Sequence, residues 1–475
     1  MTVIDETILT VLNKATGFPI DQLAFTAPVD LDRVLRTAAD VQRDWARVSR
    51  HERYRLMTRY AAAVAEHTDE FAALLSIESG KPLAQCQGEL GICERLFRGF
   101  AERMLAASER ADFLDNQAGL EGDLLLTHRE PLGVVVAILP FNFPIELFAH
   151  KVAPAIAMGN TVVVKPPLED PLAVVQLVSL MTASGMPEGL VQVVVGGADV
   201  GAALVDSDVP AAISFTGSTE TGKTVARTAA RTLKLLTLEL GGNDAMIVLP
   251  DADLDLVVEQ AVLGRSIANG QCCCANKRIV VHESITEDLS TRLADRFGSL
   301  RVGDPALDGV EVGPLIHDRA ASKVASQVEE TLQAGARVLA GGHRADGNFF
   351  EPTVLAGVTP DMPVARDEEV FGPVMSILEA RDDETAVEIA NNSSYGLSGA
   401  IFSADVGRAM RVATHLQTGQ VVINGTGLYR PDVAGFGGYG LSGQRREGLS
   451  ESLTEYSQNK NIVLRRVLDS GRGAR

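Results

Sequence analysis

Short apolar runs alternate with helical segments along most of this chain, and few folds accommodate that order. The first series of runs covers 124–126, 134–139, 161–165, 190–195, 211–215, 235–240 and 245–248, and helical patterns fill 145–157, 172–184, 200–205 and 222–231. Strands that are apolar on both faces and separated by helices form parallel sheets with helices on both sides. The sequence therefore predicts an α/β fold.

A second series of apolar runs follows and predicts a second α/β lobe. Its runs cover 278–282, 337–340, 374–379, 399–402 and 420–423. The boundary between the lobes is predicted near Gly241-Gly242, because adjacent glycines permit a sharp change of direction. Residues 29–110 are predicted to be helical, with amphipathic stretches at 31–57 and 59–77. The tail 461–467 predicts a further strand, either an edge strand or one that pairs with another subunit.

Composition excludes several classes of partner. The 475 residues include 43 Lys and Arg against 62 Asp and Glu, a formal charge of −19. Such an acidic surface repels phosphate backbones and anionic lipids, so we expect neither a nucleic-acid nor a membrane partner. The most apolar region, 133–165, is interrupted by prolines and charges and falls short of the ~20 residues of a membrane helix.

The five cysteines bear on compartment and metal binding. Three of them are adjacent, which suits neither a disulfide framework nor the usual spacing of zinc ligands. The first residues carry acidic groups rather than the basic stretch of a secretory signal. These features predict a reducing, cytoplasmic location and no metal.

Two segments carry candidate reactive groups. In the first, Asn269 to Cys274, a thiol is a possible nucleophile, although a buried cysteine is equally a small apolar residue. In the second, Glu239 stands between two leucines at the end of an apolar run. It is either a general base whose pKa is raised by burial or a paired residue at a strand end.

Two further segments suggest binding of anions. Asn142 lies in a proline-flanked turn after an apolar run, where its amide could stabilise an oxyanion or simply suit the turn. The segment from Phe215 to Lys223 joins a strand to a helix through small residues. Free backbone N–H groups at such a junction bind anions, although many ordinary helix caps look similar.

Taken together and in this order, the segments resemble the aldehyde dehydrogenase superfamily over nearly the whole chain. The matching motifs are Pro140-Phe141-Asn142-Phe143-Pro144, Lys165-Pro166, Phe215-Thr216-Gly217-Ser218-Thr219, Glu239-Leu240-Gly241-Gly242, Gly270-Gln271-Cys272-Cys273, Glu369-Val370-Phe371-Gly372-Pro373 and Phe436-Gly437-Gly438. The resemblance implies an aldehyde dehydrogenase-like fold. A Rossmann-like NAD(P)-binding domain would cover 1–110 and 131–240, and an α/β catalytic domain would cover 241–440. A small oligomerisation element, 111–130 with 452–470, would support a homodimer or homotetramer.

The resemblance also implies the reaction, the NAD(P)-dependent oxidation of an aldehyde to a carboxylic acid. Cys273 would attack the aldehyde and form a thiohemiacetal, with the Asn142 amide and the Cys273 backbone N–H as the oxyanion hole. Loss of hydride to the nicotinamide would give a thioester, and Glu239 would activate the water that hydrolyses it.

The cofactor is expected to be NAD or NADP. The implied binding residues are Pro140, Phe141, Lys165, Gly197, Gly217, Ser218, Glu369 and Phe371. Lys165 would reach the adenosine ribose, Ser218 the pyrophosphate and Glu369 the nicotinamide ribose. Many members that use NAD carry a glutamate three residues after this lysine. Here that position is Leu168, followed by Glu169, so we expect NADP to be accepted.

The substrate is expected to be a small aldehyde. The segment 140–165 is similar to members that handle lactaldehyde-like aldehydes, and His150 stands where members for carboxylated semialdehydes often have arginine. Candidate pocket residues are Phe143, Glu146, His150, Tyr429 and Phe436.

Two alternatives remain at this point. A CoA-acylating semialdehyde dehydrogenase would pass the acyl group to CoA, but acylating members often lack a base at the position of Glu239. A cysteine-dependent hydrolase without redox chemistry would not need the cofactor segments.

Overall fold

A computed structural model describes residues 7–107 and 109–468 of the chain. Its strands are β1 (Ile8–Leu12), β2 (Pro19–Ala24), β3 (Arg110–Phe113), β4 (Leu124–Pro131), β5 (Val134–Ile138), β6 (Thr161–Lys165), β7 (Val191–Val193), β8 (Pro210–Thr216), β9 (Leu235–Glu239), β10 (Ala245–Val248), β11 (Arg278–His282), β12 (Arg337–Ala340), β13 (Thr353–Ala356), β14 (Val374–Ala380), β15 (Tyr395–Gly396), β16 (Ser398–Phe402), β17 (Gln420–Ile423), β18 (Tyr439–Gly440), β19 (Gly443–Gln444) and β20 (Ser457–Leu464). Its α-helices are α1 (Pro28–Trp45), α2 (Arg50–Glu66), α3 (Thr68–Ser79), α4 (Leu83–Ala106), α5 (Pro144–Ala157), α6 (Leu172–Ala183), α7 (Ala198–Asp206), α8 (Thr219–Ala229), α9 (Leu254–Ser266), α10 (Thr286–Gly298), α11 (Asp318–Gln333), α12 (Asp383–Asn391), α13 (Val406–Ala413) and α14 (Ser452–Glu455). The parts of the predicted domains at 1–6, 108 and 469–470 lie outside the described residues.

The first sheet has six strands in the order β19-β9-β8-β5-β6-β7. Strands β5 to β9 run parallel, and β19 is an antiparallel addition at the edge. The chain moves outward from β5 to β7 and then returns to β8 on the other side of β5, so the strand order reverses between β5 and β8. In doubly wound sheets ligands bind at the carboxyl ends of the strands beside such a reversal.

Strand β5 shows why this sheet is covered on both faces. All five of its residues are buried. Val135 and Ala137 pack into a core formed with α2, α4, α5 and α6, while Val134 and Val136 pack against α1, α7 and α8. Successive side chains of a strand point to opposite faces, so an uninterrupted apolar run requires two apolar layers. The predicted α/β class is confirmed.

The second sheet has seven strands in the order β12-β13-β14-β11-β10-β16-β17. Every neighbouring pair is parallel except β12 with β13. Ile247 packs towards α11, α12 and α13, whereas Met246 and Val248 pack towards α9 and α10. The chain leaves the first sheet after Glu239 and enters the second at Ala245.

A three-stranded antiparallel sheet, β20-β4-β3, extends from the first lobe. Strand β20 lies at its edge, and six consecutive residues of that strand, 458–463, are exposed. The sequence places a strand at 461–467, whereas β20 begins at Ser457 and ends at Leu464. It pairs with β4 along its whole length.

The helical layer differs from the sequence prediction at two breaks, one in each amphipathic stretch, since 59–77 is divided between α2 and α3 at His67. The amphipathic stretch 31–57 is divided between α1 and α2, because the side chain of Ser49 accepts a hydrogen bond from the backbone N–H of Glu52 and caps a new helix. Ser-x-x-Glu is the capping-box pattern. Among the described ranges, no helix is both long and apolar enough to cross a membrane.

Candidate active site

The predicted site residues meet where the two lobes face each other. From the first sheet, β5 leads into Asn142, β6 ends at Lys165 and β9 ends at Glu239. From the second lobe, Cys273 lies a few residues before β11 and Glu369 before β14. The Asn142 Nδ2 atom donates a hydrogen bond to the Gln271 carbonyl at 2.9 Å, which connects the lobes directly.

The loop that carries Cys273 makes an unusual turn after α9. Ala268, Asn269 and Gly270 have φ values of 48°, 57° and 78°, three consecutive left-handed residues. A Cβ atom on Gly270 would collide with the backbone of Gly372, so this position needs glycine for space as well as for conformation. Strained backbone of this kind persists only where the surroundings hold it.

Two buried amides hold this turn. Asn269 accepts from the Gly313 backbone N–H at 2.7 Å and donates to the carbonyls of Gly80 and Pro314, both at 2.8 Å. The Gln271 Oε1 atom accepts from the backbone N–H of Ile316 at 3.0 Å. The turn is therefore fixed from two separate parts of the chain, Gly80 and the segment 313–316.

Asn142 is positioned by a buried ion pair that the sequence does not reveal. The Lys81 ammonium forms an ion pair with Glu89 and donates to the Asn142 carbonyl oxygen at 2.9 Å. Glu89 also accepts hydrogen bonds from the backbone N–H groups of Ile145 and Glu146, the free donors at the start of α5. One Nδ2 proton of Asn142 binds Gln271, which leaves the other for an oxyanion.

The three adjacent thiols converge on one point. Their sulfur atoms all lie within 4.8 Å of one another, and the Sγ atoms of Cys272 and Cys274 are 3.6 Å apart. Cys272 is buried, whereas Cys273 and Cys274 are partly exposed. Hydrogen bonds from its two neighbours lower the pKa of Cys272, and the contact with Cys272 raises the pKa of Cys273 to about 12. At neutral pH Cys273 is a thiol, so its reaction as a nucleophile requires a proton acceptor.

Glu239 has the environment of a general base. Its side chain is buried, and neither carboxylate oxygen accepts a hydrogen bond from the residues that the structure describes. Burial raises the pKa of Glu239 well above the usual range of a glutamate, and the nearby Glu447 raises it further. A buried carboxylate without a partner is costly, which favours a functional role over the alternative of a paired strand-end residue.

A buried network of charges lies beside Glu239 and was not found from the sequence. The Lys151 ammonium is 2.6 Å from Glu447, and the Arg430 guanidinium lies 3.4 Å from Glu447 and 3.6 Å from Glu146. Of its members, Lys151 could have been noticed from the sequence, because it is a charged residue within the apolar segment 133–165. Nothing in the local pattern around Arg430 or Glu447 distinguished them.

Three of the five predicted pocket residues, Glu146, His150 and Phe436, lie around this network, and Phe143 lies beside the Lys81–Glu89 ion pair. His150 is buried, with its Nε2 atom 3.8 Å from Glu146, and burial lowers its pKa well below the usual value. The Arg430 guanidinium lies 4.3 Å from the centre of the Phe436 ring, and the Lys81 ammonium lies 5.1 Å from that of Phe143. Tyr429 differs, because its side chain is 65% exposed. Its neighbour Arg430 points inward instead.

The cleft at the carboxyl ends of the first sheet suits a dinucleotide. At its predicted adenosine side, Lys165 is buried, and within the described residues its only hydrogen bond is a long one of 3.4 Å to the Pro166 carbonyl. Ser218 is exposed and caps α8, whose first backbone N–H groups have no partner within the helix. Gly197 caps α7, and a Cβ atom on Gly217 would meet the ring of Phe215 at 2.6 Å. Spare cationic and N–H donors beside small residues fit a phosphate-bearing ligand.

The predicted nicotinamide end of the same cleft is built from both lobes. Glu369 lies 3.2 Å from the Lys277 ammonium and accepts from the Gly242 backbone N–H at 3.3 Å. Phe371 meets Phe141 edge to face, with ring centres 5.9 Å apart, and Pro140 comes directly before Phe141. A flat ring could pack against these two aromatic side chains beside Cys273.

The fold and this site favour an oxidoreductase with a reactive cysteine beside a cleft suited to a dinucleotide, and comparisons with known proteins agree. The Aldehyde dehydrogenase family matches residues 3–462. The 3-sulfolactaldehyde dehydrogenase of Pseudomonas putida is 38% identical, covering 96% of this chain and 93% of that protein. The glutarate-semialdehyde dehydrogenase of the same species is 35% identical, covering 96% and 94%.

A solved structure agrees with the sequence relatives. The glyceraldehyde-3-phosphate dehydrogenase of Methanocaldococcus jannaschii, determined with NADP, has a TM-score of 0.91 at 33% identity and covers 96% of this chain and 98% of its own. This chain belongs to the aldehyde dehydrogenase family. It is an NAD(P)-dependent oxidoreductase that acts on aldehydes, which excludes the hydrolase without redox chemistry.

Proposed function

We propose that this protein oxidises a small aldehyde irreversibly to its carboxylic acid through a thioester on Cys273. The observation that carries the proposal is the position of Asn142 and Glu239, which lie at the carboxyl ends of β5 and β9 in the first sheet and face the Cys273 loop of the second lobe. Cys273 attacks the carbonyl carbon, and the free Nδ2 proton of Asn142 together with the Cys273 backbone N–H stabilises the oxyanion. NAD(P)+ held in the cleft would supply the hydride acceptor that converts the thiohemiacetal on Cys273 to a thioester.

Glu239 completes the cycle by taking a proton from water, which then attacks the thioester carbonyl. Its burial and raised pKa suit a group that must accept a proton near neutral pH. The same buried carboxylate argues against transfer to CoA, which brings its own nucleophilic thiol. Assay of an aldehyde panel without CoA tests the proposal: steady production of reduced cofactor and free acid is expected, whereas turnover only after addition of CoA would contradict it.

Cofactor preference follows from the adenosine end of the cleft. We expect NADP to be used at a rate comparable to or better than NAD, because Leu168 supplies no carboxylate to repel a 2′-phosphate while Lys165 attracts one. Leu168→Glu should shift the preference towards NAD by about 1–3 kcal/mol, roughly 5- to 150-fold in the ratio of kcat/KM values.

The control for this prediction is Leu168→Gln. Leu168 packs against the apolar cluster around the β1–β2 hairpin, so any polar residue there disturbs the packing. Glutamine has the shape of glutamate without its charge, and only the glutamate variant should reverse the preference. Strong NAD selectivity of the unmutated protein would show that another group, such as Glu169, supplies the repulsion.

Substrate and compartment form a finer part of the proposal. The positive charge of Arg430 is already neutralised by Glu146 and Glu447, which supports a small, uncharged, lactaldehyde-like substrate over one with a free carboxylate.

All five cysteines are free thiols, which supports a cytoplasmic location.

A homodimer or homotetramer is supported by the edge strand β20. Among the residues that the structure describes, no strand pairs with its outer edge, and the apolar side chains of Ile462 and Val463 are exposed, as is Phe113 on β3. Exposed apolar edges of this kind favour pairing with another chain.

We expect the double variant Ile462→Lys/Val463→Lys to move the protein to a smaller species in solution, measured by light scattering after size-exclusion chromatography. Repulsion between added lysines and loss of apolar contact both weaken pairing at this edge. Met410→Lys, a change at an exposed apolar residue of α13, is the control and should leave the mass unchanged. A monomeric unmutated protein would contradict the proposal.

A further inference from the structure

The three adjacent thiols have the arrangement of a metal site. Consecutive cysteines do not match the spacing of zinc ligands, so the sequence predicts no metal. The left-handed turn at 268–270 precedes them, however, and the sulfur atoms of Cys272, Cys273 and Cys274 all lie within 4.8 Å of one another. Convergence of this kind depends on the fold and not on spacing.

The distances suit zinc. Zn–S bonds are about 2.3 Å long, and two such bonds at a tetrahedral angle place their sulfur atoms roughly 3.8 Å apart. The Sγ atoms of Cys272 and Cys274 are 3.6 Å apart. The Sγ atom of Cys273 lies within 4.8 Å of both. Zinc with three protein ligands keeps a fourth position for water.

The surrounding charges also permit binding. Three thiolates and one Zn²⁺ carry a net charge of −1. The Lys277 ammonium, which donates to the Cys273 carbonyl at 2.6 Å, can balance that charge, although it already lies 3.2 Å from Glu369. Cys273 and Cys274 are partly exposed, so the ion has a route from solvent.

We propose that Cys272, Cys273 and Cys274 form a zinc-binding site that withdraws the nucleophile from catalysis while the ion is bound. The three thiols bind one Zn²⁺ as thiolates and release three protons to solvent, without any change of oxidation state. Removal of the ion by a chelator returns the thiols. The proposal adds a function to Cys272 and Cys274 that aldehyde oxidation does not require.

Zinc binding by the reduced full-length protein, measured by equilibrium dialysis without aldehyde or cofactor, tests the site independently of the proposed reaction. One Zn²⁺ per chain is expected, and Co²⁺ in its place should give thiolate charge-transfer absorption. Cys272→Ser and Cys274→Ser should each weaken zinc binding at least tenfold, since each removes one of three ligands. Cys93→Ala, which removes a thiol buried in α4, is the control and should bind zinc normally.

A second measurement does not depend on variants. Zinc should protect Cys273 of the unmutated protein from alkylation, read by mass spectrometry, over the same concentrations at which it inhibits turnover. Equal zinc affinity in the unmutated protein and the Cys272→Ser/Cys274→Ser double variant would overturn the site. Saturation with zinc and full retained activity would overturn its inhibitory role.

Discussion

Cys273→Ala should abolish aldehyde-dependent reduction of the cofactor, with a fall in kcat of at least about 10⁴-fold, because loss of a nucleophile removes the whole covalent pathway. Cys272→Ala and Cys274→Ala should retain most of the activity. Neither neighbour is needed for attack, although Cys272 contributes a hydrogen bond that raises the pKa of Cys273.

The test compares the initial rates of the three variants and the unmutated protein, measured with saturating aldehyde and cofactor in zinc-free buffer. Tight binding of the cofactor to Cys273→Ala would show that the fold is intact. Full activity in Cys273→Ala, or its loss only in one of the neighbouring variants, would move the nucleophile to a different thiol.

Glu239→Gln should separate the two halves of the reaction. Acylation needs the thiol and the oxyanion hole, so a burst of about one reduced cofactor per active site should remain when reagents are mixed rapidly. Steady turnover should fall by roughly 10²–10⁴-fold, because hydrolysis of the thioester then depends on a water that no base activates.

The size and the rate of the burst carry different information. A full burst at the normal rate assigns Glu239 to hydrolysis alone. A full burst that is slower means that Glu239 also takes the proton of Cys273, whose pKa lies at about 12. Glu239→Asp, which keeps a carboxylate, is the matched control and should recover part of the steady rate. Unchanged steady turnover in Glu239→Gln would exclude the proposed role.

The sequence predicts the layered architecture well because buried parallel strands leave a strong local signal. The runs 161–165, 245–248, 278–282, 337–340 and 420–423 coincide with β6, β10, β11, β12 and β17. Strand β13 escaped notice, as did the β1–β2 hairpin. Strand β2 is mostly exposed and polar, so it gives no apolar run. Strand β13 is as short as β10 and fully buried, so its omission has no comparable physical reason.

The residues of the site also fall into two groups, those with a local sequence signal and those without one. Residues within short motifs, such as Asn142, Glu239 and Cys273, could be predicted because each motif keeps its chemistry in adjacent positions. The charged residues that position them could not be predicted. Glu89 and Glu447 reach the site from distant parts of the chain, and a buried charge carries no sign of its partner until the fold brings the two together. The roles of all these residues in catalysis stay predictions.

The hydrogen bond from Asn142 to Gln271 has a consequence for how the protein tolerates heat and denaturant. It joins two lobes that each possess a separate core, so a partial opening between them would disassemble the reaction centre while both sheets persisted. Such openings require less free energy than global unfolding. The temperature at which activity is lost is then set by the contacts between the two lobes. A melting curve that follows secondary structure would give a higher temperature than the loss of activity.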